Sequence, residues 1–105
     1  MGKDKYILRY LSLFETDLNG ILDYIAFNLR NPESASRLAD KIEKAILKRL
    51  GCPLSFEQYQ SNRKRKYPYY RVYIDNFVVY YVVIENIMEV RRVLFKGRDA
   101  QEIIK

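Results

Sequence analysis

Residues 69–95 read YYRVYIDNFVVYYVVIENIMEVRRVLF, three short apolar runs separated by Asp75-Asn76 and Glu85-Asn86. Runs of β-branched and aromatic residues joined by two-residue polar turns mark hairpins, and two hairpins in succession make a three-strand antiparallel meander. In the first run Tyr70, Val72 and Ile74 alternate with Tyr69, Arg71 and Tyr73, which puts a purely apolar set on one face and a mixed set on the other. The middle run, Phe77 to Ile84, is apolar on both faces, as expected of a strand at the centre of a sheet. In the third run, Ile87 to Phe95, alternation assigns Met88, Val90, Arg92 and Leu94 to one face and Ile87, Glu89, Arg91, Val93 and Phe95 to the other. Glu89 and Arg91 then share a face two residues apart and read as an exposed ion pair of little energetic weight.

Upstream of the meander lie a short strand and two amphipathic helices. Residues 5–10, KYILRY, form the strand candidate. Ser12 with Glu15 three residues later has the spacing of a capping box, so a helix is expected to begin there. Phe14, Leu18, Ile21, Leu22, Ile25 and Leu29 follow at helical spacing. Asn31-Pro32 ends that helix and opens the next, with Asn31 as N-cap and Pro32 at the first helical position. The second stripe is Ala35, Leu38, Ala39, Ile42, Ile46 and Leu50, with Gly51 expected as a left-handed cap and Pro53 preventing continuation. Residues 52–68 have no period, and Leu54, Phe56 and Tyr59 are the residues expected to pin them to the core. Residues 99–105 are expected to form a short terminal helix.

The expected architecture is therefore α+β, a single domain over residues 1–105. An N-terminal strand and a two-helix hairpin precede the meander, and a short C-terminal helix follows it. The helices shield one sheet face only. The other face is expected to stay open, presenting Arg71, Tyr73, Glu89 and Arg91 with Val78 and Tyr80, while Lys96 and Arg98 leave its edge.

Composition narrows the chemistry. The 105 residues contain no histidine and one cysteine, Cys52. Absence of histidine removes the commonest general base and the commonest transition-metal ligand, so no metal site and no cofactor is expected. Cys52 has no base to activate it, which favours an inert loop thiol, and a single cysteine fits a reducing cytoplasm. No stretch is apolar for long enough to span a bilayer, and the charged N-terminus lacks a signal-peptide core. The net charge is +6, made of +2 over residues 1–50 (9 basic, 7 acidic) and +4 over residues 51–105 (10 basic, 6 acidic). Such an excess is either a solvated surface or the footprint of a polyanionic partner. The run Arg63-Lys64-Arg65-Lys66 carries the same two readings.

The order of these elements, with several stretches of sequence, resembles the RelE/ParE superfamily of bacterial toxin–antitoxin modules, nearer the ParE (plasmid stabilisation) branch. Tyr6 to Tyr10 is similar to the family's first strand. Asp17-Leu18, Ile21, Asp23-Tyr24-Ile25, Asn31-Pro32, Ala35, Leu38 and Ile42 look like its helix hairpin. Tyr70-Arg71-Val72 with Phe77 to Tyr81 resembles its paired central strands. Arg92 to Asp99 resembles its closing motif, where many members carry histidine in place of Phe95. The likeness covers nearly the whole chain.

The resemblance implies a cytoplasmic toxin that arrests bacterial growth and is held inactive, as a hetero-oligomer, by an acidic, partly disordered antitoxin. It implies one of two mechanisms, poisoning of DNA gyrase as in ParE-like members or ribosome-dependent mRNA cleavage as in RelE-like ones. Cleavage by 2′-hydroxyl attack needs a base, an acid and cations for the developing phosphorane charge. RelE-like toxins place basic residues at two alternating positions of the second strand, which here hold Arg71 and Tyr73, and an arginine on the third strand, where this chain has Val78. The closing-motif arginine is matched by Arg98, whereas Ile103 and Ile104 stand in the neighbourhood of the C-terminal tyrosine. Arg71, Tyr73 and Arg98 are thus the catalytic candidates if the chain is an RNase. Arg63, Lys64, Arg65, Lys66, Arg91 and Lys96 are the candidates for target or antitoxin binding. Cations interleaved with tyrosines also describe a nucleic-acid-binding module without toxin activity.

Overall fold

The computed structural model describes residues 5–59 and 66–100. Its elements run β1 (Ile7–Tyr10), α1 (Ser12–Asp23), a π-helical turn (Tyr24–Asn28), α2 (Pro32–Leu50), β2 (Tyr70–Ile74), β3 (Phe77–Ile84) and β4 (Ile87–Phe95). The sheet order is β1-β4-β3-β2. The meander forms as expected, with Asp75 and Glu85 taking positive φ in the two tight turns. β1 adds to the meander's far edge, pairing parallel with β4 from Ile7↔Ile87 to Tyr10↔Val90. The expected terminal helix lies, beyond Ala100, outside the described residues, as do Arg63, Lys64 and Arg65.

The helices form where the apolar periodicity places them, but three local expectations are corrected. Ser12 is the first helical residue rather than the cap: Leu11 holds the N-cap position and no side chain caps it, so the Ser12–Glu15 box does not form. The continuation of α1 widens by one residue, with Leu29 N–H donating to the Tyr24 carbonyl at 3.0 Å. An inserted residue rotates the helix phase, which carries Leu29 out of the apolar stripe and leaves it 56% exposed. Arg30, at φ 54°, then reverses the chain so that Asn31 N–H reaches the Ile25 carbonyl. Asn31 does cap α2, its side-chain oxygen accepting from Ser34 N–H at 3.1 Å, with Pro32 at the first position. Gly51 is right-handed (φ −68°, ψ −31°) because Cys52 N–H closes a further turn onto the Arg49 carbonyl, and the left-handed reversal expected at this glycine is absent.

The core between helices and sheet contains Phe14, Leu38, Ile42 and Ile46 packed on Tyr70, Val72, Val79, Tyr81, Met88 and Val90. Tyr81 is fully buried, and its hydroxyl donates to the Pro53 carbonyl at 2.8 Å while accepting from Arg49. Pro53, rather than Leu54 or Phe56, is what ties the segment after α2 to this core. Leu54 and Phe56 stay 56% and 40% exposed, the latter serving as a platform for the Arg49 guanidinium 3.5 Å from its ring centre.

A bulge corrects the face assignment of β4. Tyr80 pairs with Arg92 and Tyr81 with Val90, so Arg91 is an extra residue and the alternation resets beyond it. Val93 therefore joins the helix-side core and Leu94 the opposite cluster, the reverse of strict alternation.

The far face is also less open than expected. Tyr59, Tyr67 and Tyr69 fold over it, held by Tyr59 N–H on the Tyr69 carbonyl at 2.7 Å and a bridge between Gln58 and Tyr70. With Ala100 they cover Val78, Tyr80 and Val82, so Val78 and Tyr80 are 3% and 5% exposed. Glu89 is likewise buried, 5% exposed, and is no surface ion pair. It accepts from Arg91 Nε at 2.7 Å and from Arg9 Nε at 2.9 Å, joining β1 to β4.

Candidate functional site

The uncovered part of the far face is a cleft of about 390 Å³ at the end where β2, β3 and the turn after β4 meet. Arg71 and Tyr73 enter it from β2, Val78 and Tyr80 from β3, and Lys96, Arg98, Asp99 and Ala100 from beyond β4, with Tyr59 closing one side. Strand geometry explains the convergence. Arg71 pairs across the hairpin with Tyr80 and Tyr73 with Val78, so all four side chains project from one face. Lys96 N–H donates to the Asn76 carbonyl at 2.7 Å and Arg98 N–H to the Phe95 carbonyl at 3.0 Å, which folds the closing turn back toward that face.

The Arg71 guanidinium lies 4.7 Å from the centre of the Tyr59 ring and 5.6 Å from that of Tyr73. Two ring faces orient the cation while leaving its N–H edge available. Among the described residues no carboxylate forms a salt bridge with Arg71, Lys96 or Arg98. Three cations against the one carboxylate of Asp99 make the cleft electropositive. Tyr80 forms its floor. Burial, then the neighbouring Tyr59, pushes its pKa up to about 12 despite the opposing pull of Arg71, so at neutral pH it is a protonated phenol with a hydroxyl able to donate.

Of the nine residues singled out by sequence, Arg71, Tyr73, Lys96 and Arg98 come together here. Arg91 does not join them: it donates to Glu89 and to the Tyr69 hydroxyl at 3.3 Å, a structural post between strand and cover. Lys66 sits beside the Tyr67 ring, 5.5 Å from its centre, outside the cleft lining. Tyr80 is expected on this face but not as a site residue, and Tyr59 is expected only as a core anchor of its loop. Tyr80 was available from the pairing that the Asp75-Asn76 turn imposes, but no signal in residues 52–68 placed Tyr59 against Arg71.

A larger groove, about 610 Å³, runs between α1, the π-helical turn and the end of β4. Its lining is mostly apolar, and its partly buried Asp17 and Arg92 are matched to each other. Asp17 accepts from Arg92 at 2.7 and 2.9 Å and from Val93 N–H at 3.2 Å. Arg92 thus meets a carboxylate on α1, and Asp17 satisfies the edge of β4 beyond the last residue of β1. Arg98 lines both this groove and the cleft.

Residues 8–100 match the family model described as the ParE toxin of type II toxin-antitoxin system, parDE. The chain belongs to the ParE toxin family. No curated protein matches it. Its fold is similar to a chain in a solved structure titled "Chromosomal ParDE TA system from P. aeruginosa", with a TM-score of 0.72 at 15% identity, covering 89% of this chain and 98% of that one. For a ParE-type toxin, the strand–hairpin–meander order and the closing turn carrying Lys96 and Arg98 are now accounted for by both sequence and fold. Among the described residues no helix is long and apolar enough to cross a membrane.

Proposed function

We propose that this ParE-family toxin arrests bacterial growth by acting on a protein target, DNA gyrase, and that an acidic antitoxin neutralises it. The observation that carries the reading is Val78. It lies at the cleft, buried and apolar, where RNA cleavage would call for a third-strand cation to hold the phosphorane charge. Tyr80 beside it keeps its proton at neutral pH and is a poor base. The cleft cations Arg71, Lys96 and Arg98, none in a salt bridge among the described residues, and the net charge of +6 support an acidic binding partner.

The test sets purified gyrase with plasmid DNA against translating ribosomes with a labelled transcript. The expected result is accumulation of cleaved, protein-linked DNA with the transcript intact. One specific observation favours the runner-up, an mRNA endonuclease: Arg71, Tyr73 and Arg98 do share one cleft. Transcript cuts at the ribosomal A site, lost in Arg71→Ala and Arg98→Ala, would replace the gyrase reading with that one.

A further inference from the structure

We propose that the recess between α1, α2 and the end of β1 docks a protein partner through one lysine or arginine side chain carried on an apolar segment. The aliphatic stem lies on the recess floor and the charged head between Glu15 and Glu43. The recess opens on the helix side of the sheet, away from the cleft on the far face. The inference does not rest on gyrase as the target.

The recess has a volume of about 260 Å³. That is below the roughly 300–1,000 Å³ of sites that enclose a drug-sized molecule, and it suits a single side chain. Phe14, Ile42 and Ile46, all buried in the core, make its floor, with Leu18 and Ala39 beside them. Tyr10 stacks on Phe14, ring centres 5.2 Å apart at 19°, and supplies an aromatic wall. Glu15 from α1 and Glu43 from α2 stand at the rim, both exposed, and neither forms a salt bridge among the described residues. Burial first, and then the Glu43 charge, raises the Tyr10 pKa above its ordinary value, so this carboxylate acts directly on the hydroxyl end of the ring. An apolar floor below two rim carboxylates matches the two parts of a lysine or arginine side chain, whose stem prefers apolar surface while its head stays in water. The neighbouring tyrosine offers its ring face to the same cation. Leu47, 48% exposed and one helical turn beyond Glu43, extends the apolar surface toward the partner's flanking residues. On a chain of net charge +6 this rim has the wrong sign for an acidic antitoxin, so charge complementarity selects a basic segment.

The test follows the amide chemical shifts of isotope-labelled protein during titration with the capped tripeptides Leu-Lys-Leu and Leu-Glu-Leu, and with spermidine. Leu-Lys-Leu is expected to bind with a Kd of about 1 mM, the scale of a single anchoring side chain, and to shift the amides of Glu15, Leu18, Ala39 and Glu43. Leu-Glu-Leu is expected to leave them in place. Glu43→Gln should weaken binding about threefold, and Glu15→Gln combined with Glu43→Gln about tenfold. Ala39→Leu fills the recess with both carboxylates kept, and should abolish the shifts. Glu43→Lys leaves the packing alone and should turn the preference to Leu-Glu-Leu, which decides the matter if Ala39→Leu disturbs the fold. Asp40→Asn, an equal charge change on α2 outside the recess lining, should leave the affinity unchanged. Any of four results overturns the proposal: no saturation at about 10 mM peptide, equal binding of Leu-Glu-Leu, equal losses in Asp40→Asn and Glu43→Gln, or spermidine binding as tight as Leu-Lys-Leu. The last would assign the recess to a free polyamine.

Discussion

Glu89→Gln is expected to destabilise the fold by about 2–3 kcal/mol, although it only replaces one carboxylate oxygen with an amide NH2. Glu89 is 5% exposed and receives three charge-assisted contacts, two from Arg9 and one from Arg91. Breaking a buried ion pair costs roughly 3–5 kcal/mol when the remaining charge is stranded. Here the stranded charges have partial escape, since the Arg9 side chain is 48% exposed and that of Arg91 is 29% exposed, which lowers the figure. The amide also turns an N–H₂ group toward arginine donors, so one of the two oxygen sites is lost outright. For a domain of this size the change corresponds to a melting temperature lower by on the order of 10 °C. Urea unfolding followed by circular dichroism at pH 7 measures it directly.

The pH dependence gives a second reading of the same contact. Burial alone would raise the Glu89 pKa, but hydrogen bonds from Arg91 and Arg9 outweigh it and hold the carboxyl below its ordinary value. A folded pKa below the unfolded one gives stability that is fully present above the unfolded value, roughly 4.3, and is lost as pH falls through the folded value. The difference between wild type and Glu89→Gln should therefore shrink in acid. A difference under about 0.5 kcal/mol at pH 7 would show that the contact behaves as an ordinary surface pair, and the reasoning from burial would be refuted.

Three further outcomes are expected. Asp17→Ala removes both carboxylate oxygens that accept from Arg92, one of which also accepts from Val93 N–H, and should cost about 2–3 kcal/mol, with Arg92→Ala in the Asp17→Ala background adding little; full additivity of the two would show that they do not act as a pair. Tyr81→Phe deletes the donor to the Pro53 carbonyl and should cost about 1–2 kcal/mol in urea unfolding, while an unchanged midpoint would mean that Pro53 is not held by this hydrogen bond. Arg71→Ala with Arg98→Ala should relieve growth arrest on induction while leaving the urea midpoint within about 0.5 kcal/mol, because neither forms a salt bridge among the described residues; undiminished arrest would place the working surface elsewhere.

Much of the fold was readable because its determinants are local. A period of two with paired polar turns specifies hairpins whatever they pack against, so β3 and β4 begin and end where the pattern puts them, and β2 differs only in starting at Tyr70. The same register places Arg71 and Tyr73 on one face, and the two helical stripes and the Asn31 cap are equally local. What departed from expectation was set by contacts distant in sequence. Arg91 and Arg92 look alike in the chain, and only the pairing with Tyr80 and Tyr81 decides that Arg91 is the extra residue and that Val93 turns inward. Asp17 and Arg92 lie 75 positions apart, and nothing in either neighbourhood announces the other.

The chain by itself determined its class, its helix hairpin and meander, and the set of cations and tyrosines presented by β2 and the closing turn. These follow from side-chain periodicity and turn chemistry, which act over a few residues. The tertiary structure alone decided that β1 joins parallel to β4, that Glu89 is an interior anion, and that Tyr59 narrows a broad face to one cleft. Each of those depends on which distant segments share the burial of the same surface, a competition that neighbouring residues cannot settle.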